Sequence, residues 1–219
     1  PEVPGARALV GGVDVLAEEI VDQVEADLRT GEVFALPICA VVMVVVFGGF
    51  VAAGLPLAGA LASIAGGLAG LLGWSYLIDL DPSVINVVTG LGLGLCIDYG
   101  LLLVSRYREE ARRLVGAGPA GPVTLTPDER EVALRRTLAS AGRTVTFSGV
   151  TVAVALTGLM CFRTPLLRAV AAAGVSAIVV ALLVALILVP ALIMLTGDRV
   201  LQPGPIHRIP GLGALLRRL

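Results

Sequence analysis

Lysine is absent from the 219 residues, and every basic side chain other than His207 is an arginine. Charge of either sign is sparse: charged residues make up 15% of the chain, against about 25% in a soluble domain, while 57% are hydrophobic. A water-soluble globule is excluded from the outset. Aromatics stand at 4%, with Ala, Val, Leu and Gly in their place, a composition suited to closely packed helices in lipid. The three cysteines, Cys39, Cys96 and Cys161, lie far apart inside apolar runs and read as small buried hydrophobes. His207 stands alone in a Pro/Gly-rich tail, so neither a metal site nor another cofactor is expected. Nothing in the pattern points to an enzyme or to a nucleic-acid partner. No signal peptide precedes the first apolar run and the chain begins with Pro1, so a piece of a longer protein or a trimmed one is expected.

What is present is a series of apolar runs, each near the roughly 20 residues that cross a bilayer. They are placed at 33–54, 56–78, 84–104, 144–162 and 169–195, which gives an all-α polytopic membrane bundle of about five transmembrane helices. The short turn Gly54-Leu55-Pro56 is expected to join the first two as a hairpin, with Trp74 and Tyr76 in an aromatic belt near the end of the second. Residues 1–32 precede them with eight carboxylates against Arg7 and Arg29. Val13, Leu16, Ile20, Val24 and Leu28 recur there at helical spacing, between Gly11-Gly12 and Gly31, and predict an amphipathic helix packed on a further domain.

Arginine sets the orientation. The segment 105–143 carries eight and the tail 197–219 four, while Arg7, Arg29, Arg163 and Arg168 are all that remain for the other side. The positive-inside rule then makes 105–143 and the C-terminus cytoplasmic and the N-terminus external, in a multi-pass cell-membrane protein. Within 105–143, the stretch Val115–Leu125 is Gly/Pro-rich, and Thr126-Pro127-Asp128-Glu129 is a capping box that predicts a surface helix over about 127–141. Small residues at every fourth position, Ala58-Ala62-Gly66-Gly70 and Ala169-Ala173-Ala177-Ala181-Ala185, mark packing faces.

The third run, 84–104, contains the residue that demands an explanation. Gly90, Gly92 and Gly94 do not form a phosphate loop, because no strand precedes them and no Gly-Lys-Ser/Thr follows. Asp98 lies eight residues before Arg106, about 12 Å into the apolar layer at 1.5 Å per residue. A carboxylate there costs several kcal/mol unless paired, watered or protonated, and intramembrane acids are functional by default. An acid that gains and loses a proton at this depth serves as a proton relay, with Tyr99 able to donate a hydrogen bond to a facing carboxylate. Asn86 and Thr89 offer polar groups further along the helix. On the fourth run Thr144, Ser148 and Thr151 form a hydroxyl face, and Thr151, eight residues from Arg143, matches the depth of Asp98. Hydroxyls bonded to their own helix carbonyls are the alternative.

The stretch from Gly90 through Asp98-Tyr99-Gly100 to Ser105-Arg106-Tyr107-Arg108-Glu109-Glu110, with Gly142-Arg143-Thr-Val-Thr-Phe-Ser148-Gly149 and Leu188-Val-Pro190-Ala-Leu, closely resembles the MMPL family of the resistance-nodulation-division (RND) superfamily. The resemblance implies twelve membrane helices in two pseudo-repeated halves, each with a large extracytoplasmic domain, and export of lipids or hydrophobic compounds driven by protons. By that resemblance the chain matches helices two to six of one half. Residues 1–32 close the first extracytoplasmic domain, 33–104 hold the first three spans, 105–143 the cytoplasmic loop, 144–196 the last two spans, and 197–219 the tail. Asp98 and Tyr99 match the proton-relay pair. The implied partners are a hydrophobic substrate, protons, and the other half of the transporter or a second copy. The five-helix unit also resembles sterol-sensing domains of RND relatives, so a non-transporting scaffold or lipid-sensing bundle is the competing reading.

Overall fold

The computed structural model describes residues 13–47, 49–77, 84–116 and 123–202. Gly11-Gly12, most of the Gly/Pro-rich stretch before Leu125, His207 and the tail beyond residue 202 lie outside them. The described chain is helical, with α1 Val13–Phe47, α2 Phe50–Trp74, α3 Val84–Val115, α4 Pro127–Thr137, α5 Arg143–Thr157, α6 Pro165–Leu183 and α7 Val189–Thr196. π-helical turns Leu138–Gly142 and Val184–Leu188 join α4 to α5 and α6 to α7, so 127–161 and 165–200 are each one long helical run. Four helices are long and apolar enough to cross a membrane, and Val33–Val45 is a shorter apolar one.

The chain divides into two units at Pro37. In the first, Ile20 and Val24 of the amphipathic stripe are exposed, and the helix is held locally by Gln23 Nε2 donating to Asp27 Oδ1 at 3.1 Å and Thr30 Oγ1 to the Ala26 carbonyl at 2.8 Å.

The second unit, 38–219, is organised around α2, α3 and α6, which pack against one another, with α5 on α6. Small residues make that possible. Ala169, Ala173, Ala177, Ala181 and Ala185 are all buried, as predicted. On α2 the expected stripe is rotated: Ala58 is exposed, and Gly59, Ser63, Gly67 and Leu71 form the buried face, although Gly66 and Gly70 do meet Val180 and Ser176 of α6. Trp74 donates its indole N–H to Ser176 Oγ at 2.8 Å, so it fastens α2 to α6, whereas Tyr76 is exposed. Of the cysteines only Cys96 is buried; Cys39 is half-buried and Cys161 exposed.

Three boundaries differ from the sequence expectation. Gly54-Leu55-Pro56 is not a hairpin turn but part of α2, which is capped at Gly49. Proline deprives the helix of one hydrogen bond, a loss that neighbouring helices in a membrane bundle tolerate. The third run does not stop at residue 104: α3 continues to Val115, and Gly116 ends it in the left-handed region at φ 62°. Its polar extension is held by a cluster in which Arg106 and Arg113 each pair with Glu109 and Glu110 at three- and four-residue spacing. The third difference is α4, which ends at Thr137 but passes through the π turn directly into α5.

The capping box forms as its sequence dictates. Thr126 Oγ1 accepts from the Glu129 amide at 3.3 Å and Glu129 Oε2 accepts from the Thr126 amide at 2.8 Å. These hydrogen bonds hold the Glu129 carboxyl below its usual range, at a polar position well before the apolar part of the run. A second fastening, invisible in the sequence, joins α4 to the end of α7. Arg130 Nη2 pairs with Asp198 Oδ2 at 2.8 Å, and Asp198 Oδ1 accepts from the Leu125 amide at 3.3 Å. Gly197, at φ 57°, lets the chain turn so closely that a Cβ there would stand 3.1 Å from Arg130 Nη1. Asp198→Asn is expected to destabilise this end by about 2 kcal/mol, the scale of a partly buried charge-assisted bond. Hydrogen–deuterium exchange reads it: α4 amides should exchange faster, and unchanged protection would remove the clasp from the account.

Candidate functional site

The core face of α3 is read from its buried residues: Gly92, Cys96, Tyr99, Gly100, Leu103 and Tyr107 recur three and four apart. Asp98 stands off that face and is exposed on the chain's surface. It opens into a groove of about 440 Å³ between α3 and α5, lined also by Tyr99, Leu101, Leu102, Ser105, Thr144, Val145 and Ser148. The groove exists because α5 packs on α6, while α3 meets the α4–α5 run at α4 and the π turn 138–142. The two helices separate beyond that point.

A hydrogen bond ties the two runs together below the groove. Arg106 Nε donates to Ser140 Oγ at 3.2 Å. Asp98 is eight residues before Arg106 and Ser148 eight after Ser140, so each stands about 12 Å from that mark along helices running in opposite directions. Ser148 lines the same groove as the acid. Thr151, expected at the depth of the acid, is not among the residues that line the groove, whereas Ser148 is. The Thr151 hydroxyl donates to the Phe147 carbonyl at 2.8 Å. Thr144 does line it, while donating to the Ser140 carbonyl at 3.3 Å. Asn86, twelve residues before Asp98 and so about 18 Å away along α3, is not brought to the acid. Ser105 joins the groove wall without having been singled out, although its position seven residues after Asp98 places it two turns along the same face.

Tyr99 points elsewhere than Asp98. Its ring is buried, and its hydroxyl has no hydrogen-bond partner among the described residues. Asp98 takes part in no ion pair among the described residues, and Arg106, one of the nearest arginines in sequence, is engaged by Glu109 and Glu110. Asp98 thus stands without an ion-pair partner among the described residues, beside the hydroxyl-bearing walls of the groove. Among the described residues no group of three His, Cys, Asp or Glu side chains could hold a metal ion.

Comparison with known proteins gives this arrangement a setting. The sequence pattern describing the MMPL family matches residues 1–212. SCO6666 of Streptomyces coelicolor is 43% identical over 191 residues, covering 87% of this chain and 25% of that protein. Trehalose monomycolate exporter MmpL3 of Mycobacterium tuberculosis is 35% identical over 202 residues, covering 90% of this chain and 19% of the exporter. Heme uptake protein MmpL11 of the same species is 33% identical over 187 residues, covering 85% and 18%. The chain thus spans a quarter or less of the length of these relatives.

Proposed function

The chain belongs to the MMPL family, and from that premise we propose that it is part of a proton-motive-force-driven exporter of lipids or hydrophobic compounds in which Asp98 is the titrating group. The observation that carries the proposal is the exposed Asp98, without an ion pair among the described residues, in an apolar stretch of α3 and sharing an open groove with Ser148. The names of two relatives, an exporter of a mycolate lipid and a heme uptake protein, support a hydrophobic or amphipathic cargo. Orientation follows the arginine count: segment 105–143 and the C-terminus on the cytoplasmic side, the N-terminus outside.

In this reading the groove admits water to Asp98 from one side of the membrane. Protonation removes the charge, which lets α3 and the α5 wall approach; release restores the charge and the water. Tyr99, its hydroxyl without a partner among the described residues, supplies a donor for a carboxylate brought to it by further protein, either the other half of the transporter or a second copy. The site on this chain is then one part of a larger one.

The test uses the whole protein in proteoliposomes with an imposed pH gradient and a trehalose-linked mycolate lipid, the cargo type named for one relative. Lipid should reach the outer face only while the gradient stands, and an uncoupler should stop it. Transport that continues after the gradient has collapsed overturns proton coupling. A protein that moves no lipid under either condition, yet binds it, favours the scaffold or lipid-sensing reading.

A further inference from the structure

α1 ends at Phe47, and its last stretch, 38–47, carries no charged residue. The final carbonyls of a helix have no partner within it, and the helix dipole favours a cation beside them. No basic residue stands in the last turn of α1. The cation comes instead from α3: Arg108 Nη1 donates to the Phe47 carbonyl at 2.7 Å, across 61 positions of sequence, and its guanidinium lies over the Phe47 ring, 5.8 Å from the centroid. Among the described residues this is the one hydrogen bond that joins 38–47 to another helix. Met43 and Phe47, one turn apart, are the buried side chains of that stretch among those described. Beyond the break, α2 starts at Phe50 from an extended Gly49 that supplies no side-chain cap. The end of α1 is thus held by two apolar side chains and Arg108. Both partners of the hydrogen bond belong to this chain, and Phe47 is only 4% exposed, so protein added around the bundle leaves the tie in place.

Arg108 also stands on the acid's own helix. α3 runs unbroken from Val84 to Val115, and Arg108 follows Asp98 by ten residues, about 15 Å along it. Its neighbours are engaged elsewhere: Arg106 with Ser140, Glu109 and Glu110, and Tyr107 within the core. A helix moves as a body over so short a length, so whatever displaces α3 at Asp98 displaces Arg108. At its other end α1 is covalently the first unit, which closes at Pro37.

We propose that Arg108 is a positioning residue for proton coupling: it ties the end of α1 to α3, so that the shift of α3 when Asp98 changes protonation state is passed to α1. This rests on the reading of Asp98 as the titrating group. Arg108 itself binds neither proton nor cargo in this role and acts through α1.

Hydrogen–deuterium exchange on the whole protein in nanodiscs tests it, read on peptides covering 38–47, with Asp98→Asn standing for the protonated acid. Arg108→Met keeps an apolar stem against Phe47 and removes the donor and the charge, so the bundle is expected to hold. Exchange at 38–47 should rise about tenfold, the effect of losing one charge-assisted hydrogen bond, with α2 and α4 unchanged. Arg108→Lys should restore part of the protection. Arg112→Met, one turn on, removes the same charge without the hydrogen bond and should leave exchange at the wild-type level. The deciding readout is the double variant: Asp98→Asn alone should alter exchange at 38–47, and in Arg108→Met that response should vanish. A response that persists without Arg108 would show the shift reaching α1 by another route. Unchanged exchange in Arg108→Met, an equal rise in Arg112→Met, or equal losses of protection in α1, α2 and α4 would likewise overturn the proposal. The two readings fail separately. An Asp98→Asn protein that still exports ends the relay role, whereas one that stops exporting and leaves 38–47 unchanged ends the tie alone.

Discussion

Asp98→Asn in the whole protein should abolish export while leaving the amount of protein in the membrane unchanged. The substitution is close to isosteric and keeps a polar, hydrogen-bonding side chain, so the groove with Thr144 and Ser148 retains its shape. What it removes is the ability to carry a proton. Because Asp98 is exposed on the chain and stands off the core face, the change unpacks nothing in this unit, and a fold defect is not expected to mimic the loss. Export assayed against membrane abundance separates the two. Retained export at normal abundance would end the relay role. Tyr99→Phe is the companion measurement. The Tyr99 hydroxyl is buried without a partner among the described residues, which is a cost to this unit alone, so its removal should leave stability equal or slightly higher. Reduced export from a protein no less stable would place the hydroxyl in function.

That Asp98 was legible in the sequence at all follows from the price of charge in hydrocarbon: one carboxylate in a long apolar run needs no alignment to be noticed. The spans were legible for the same reason, and the capping box at Thr126 because its two hydrogen bonds involve residues three apart. Positions failed where the decisive contact was distant. Counting from Arg143 matches Thr151 to the depth of the acid, whereas the groove that holds Asp98 is walled by Ser148 and not by Thr151, a packing result of how α5 sits beside α3. The Arg130–Asp198 clasp spans 68 residues and leaves no local trace. Pro56 was read as a turn because proline usually ends helices in water. In a bundle the missing hydrogen bond matters less than what the ring packs on.

What it packs on is Gly100, and this supplies the second large effect. A Cβ on Gly100 would stand 2.9 Å from Pro56 Cβ and 3.1 Å from its Cα. Neither atom can swing aside, since both belong to a proline ring or backbone in the middle of α2. Gly94, six residues earlier on the same helix, has nothing within 4 Å of such a Cβ. Alanine in a helix interior is favoured over glycine by about 1 kcal/mol, so Gly94→Ala should be neutral or mildly stabilising. At Gly100 the same gain meets an overpacking cost of about 1–3 kcal/mol, and Gly100→Leu should exceed what the bundle tolerates. The displacement also has a direction. Gly100 follows Tyr99 directly, so a wedge against Pro56 pushes α3 away from α2 at the level of the acid–tyrosine pair and alters its approach to Ser148. Thermal stability in detergent should therefore fall in the order Gly94→Ala, Gly100→Ala, Gly100→Leu, with export falling more steeply than stability across the Gly100 pair. If Gly94→Ala and Gly100→Ala behave alike in both assays, the close contact of α3 with Pro56 does not set the position of Asp98.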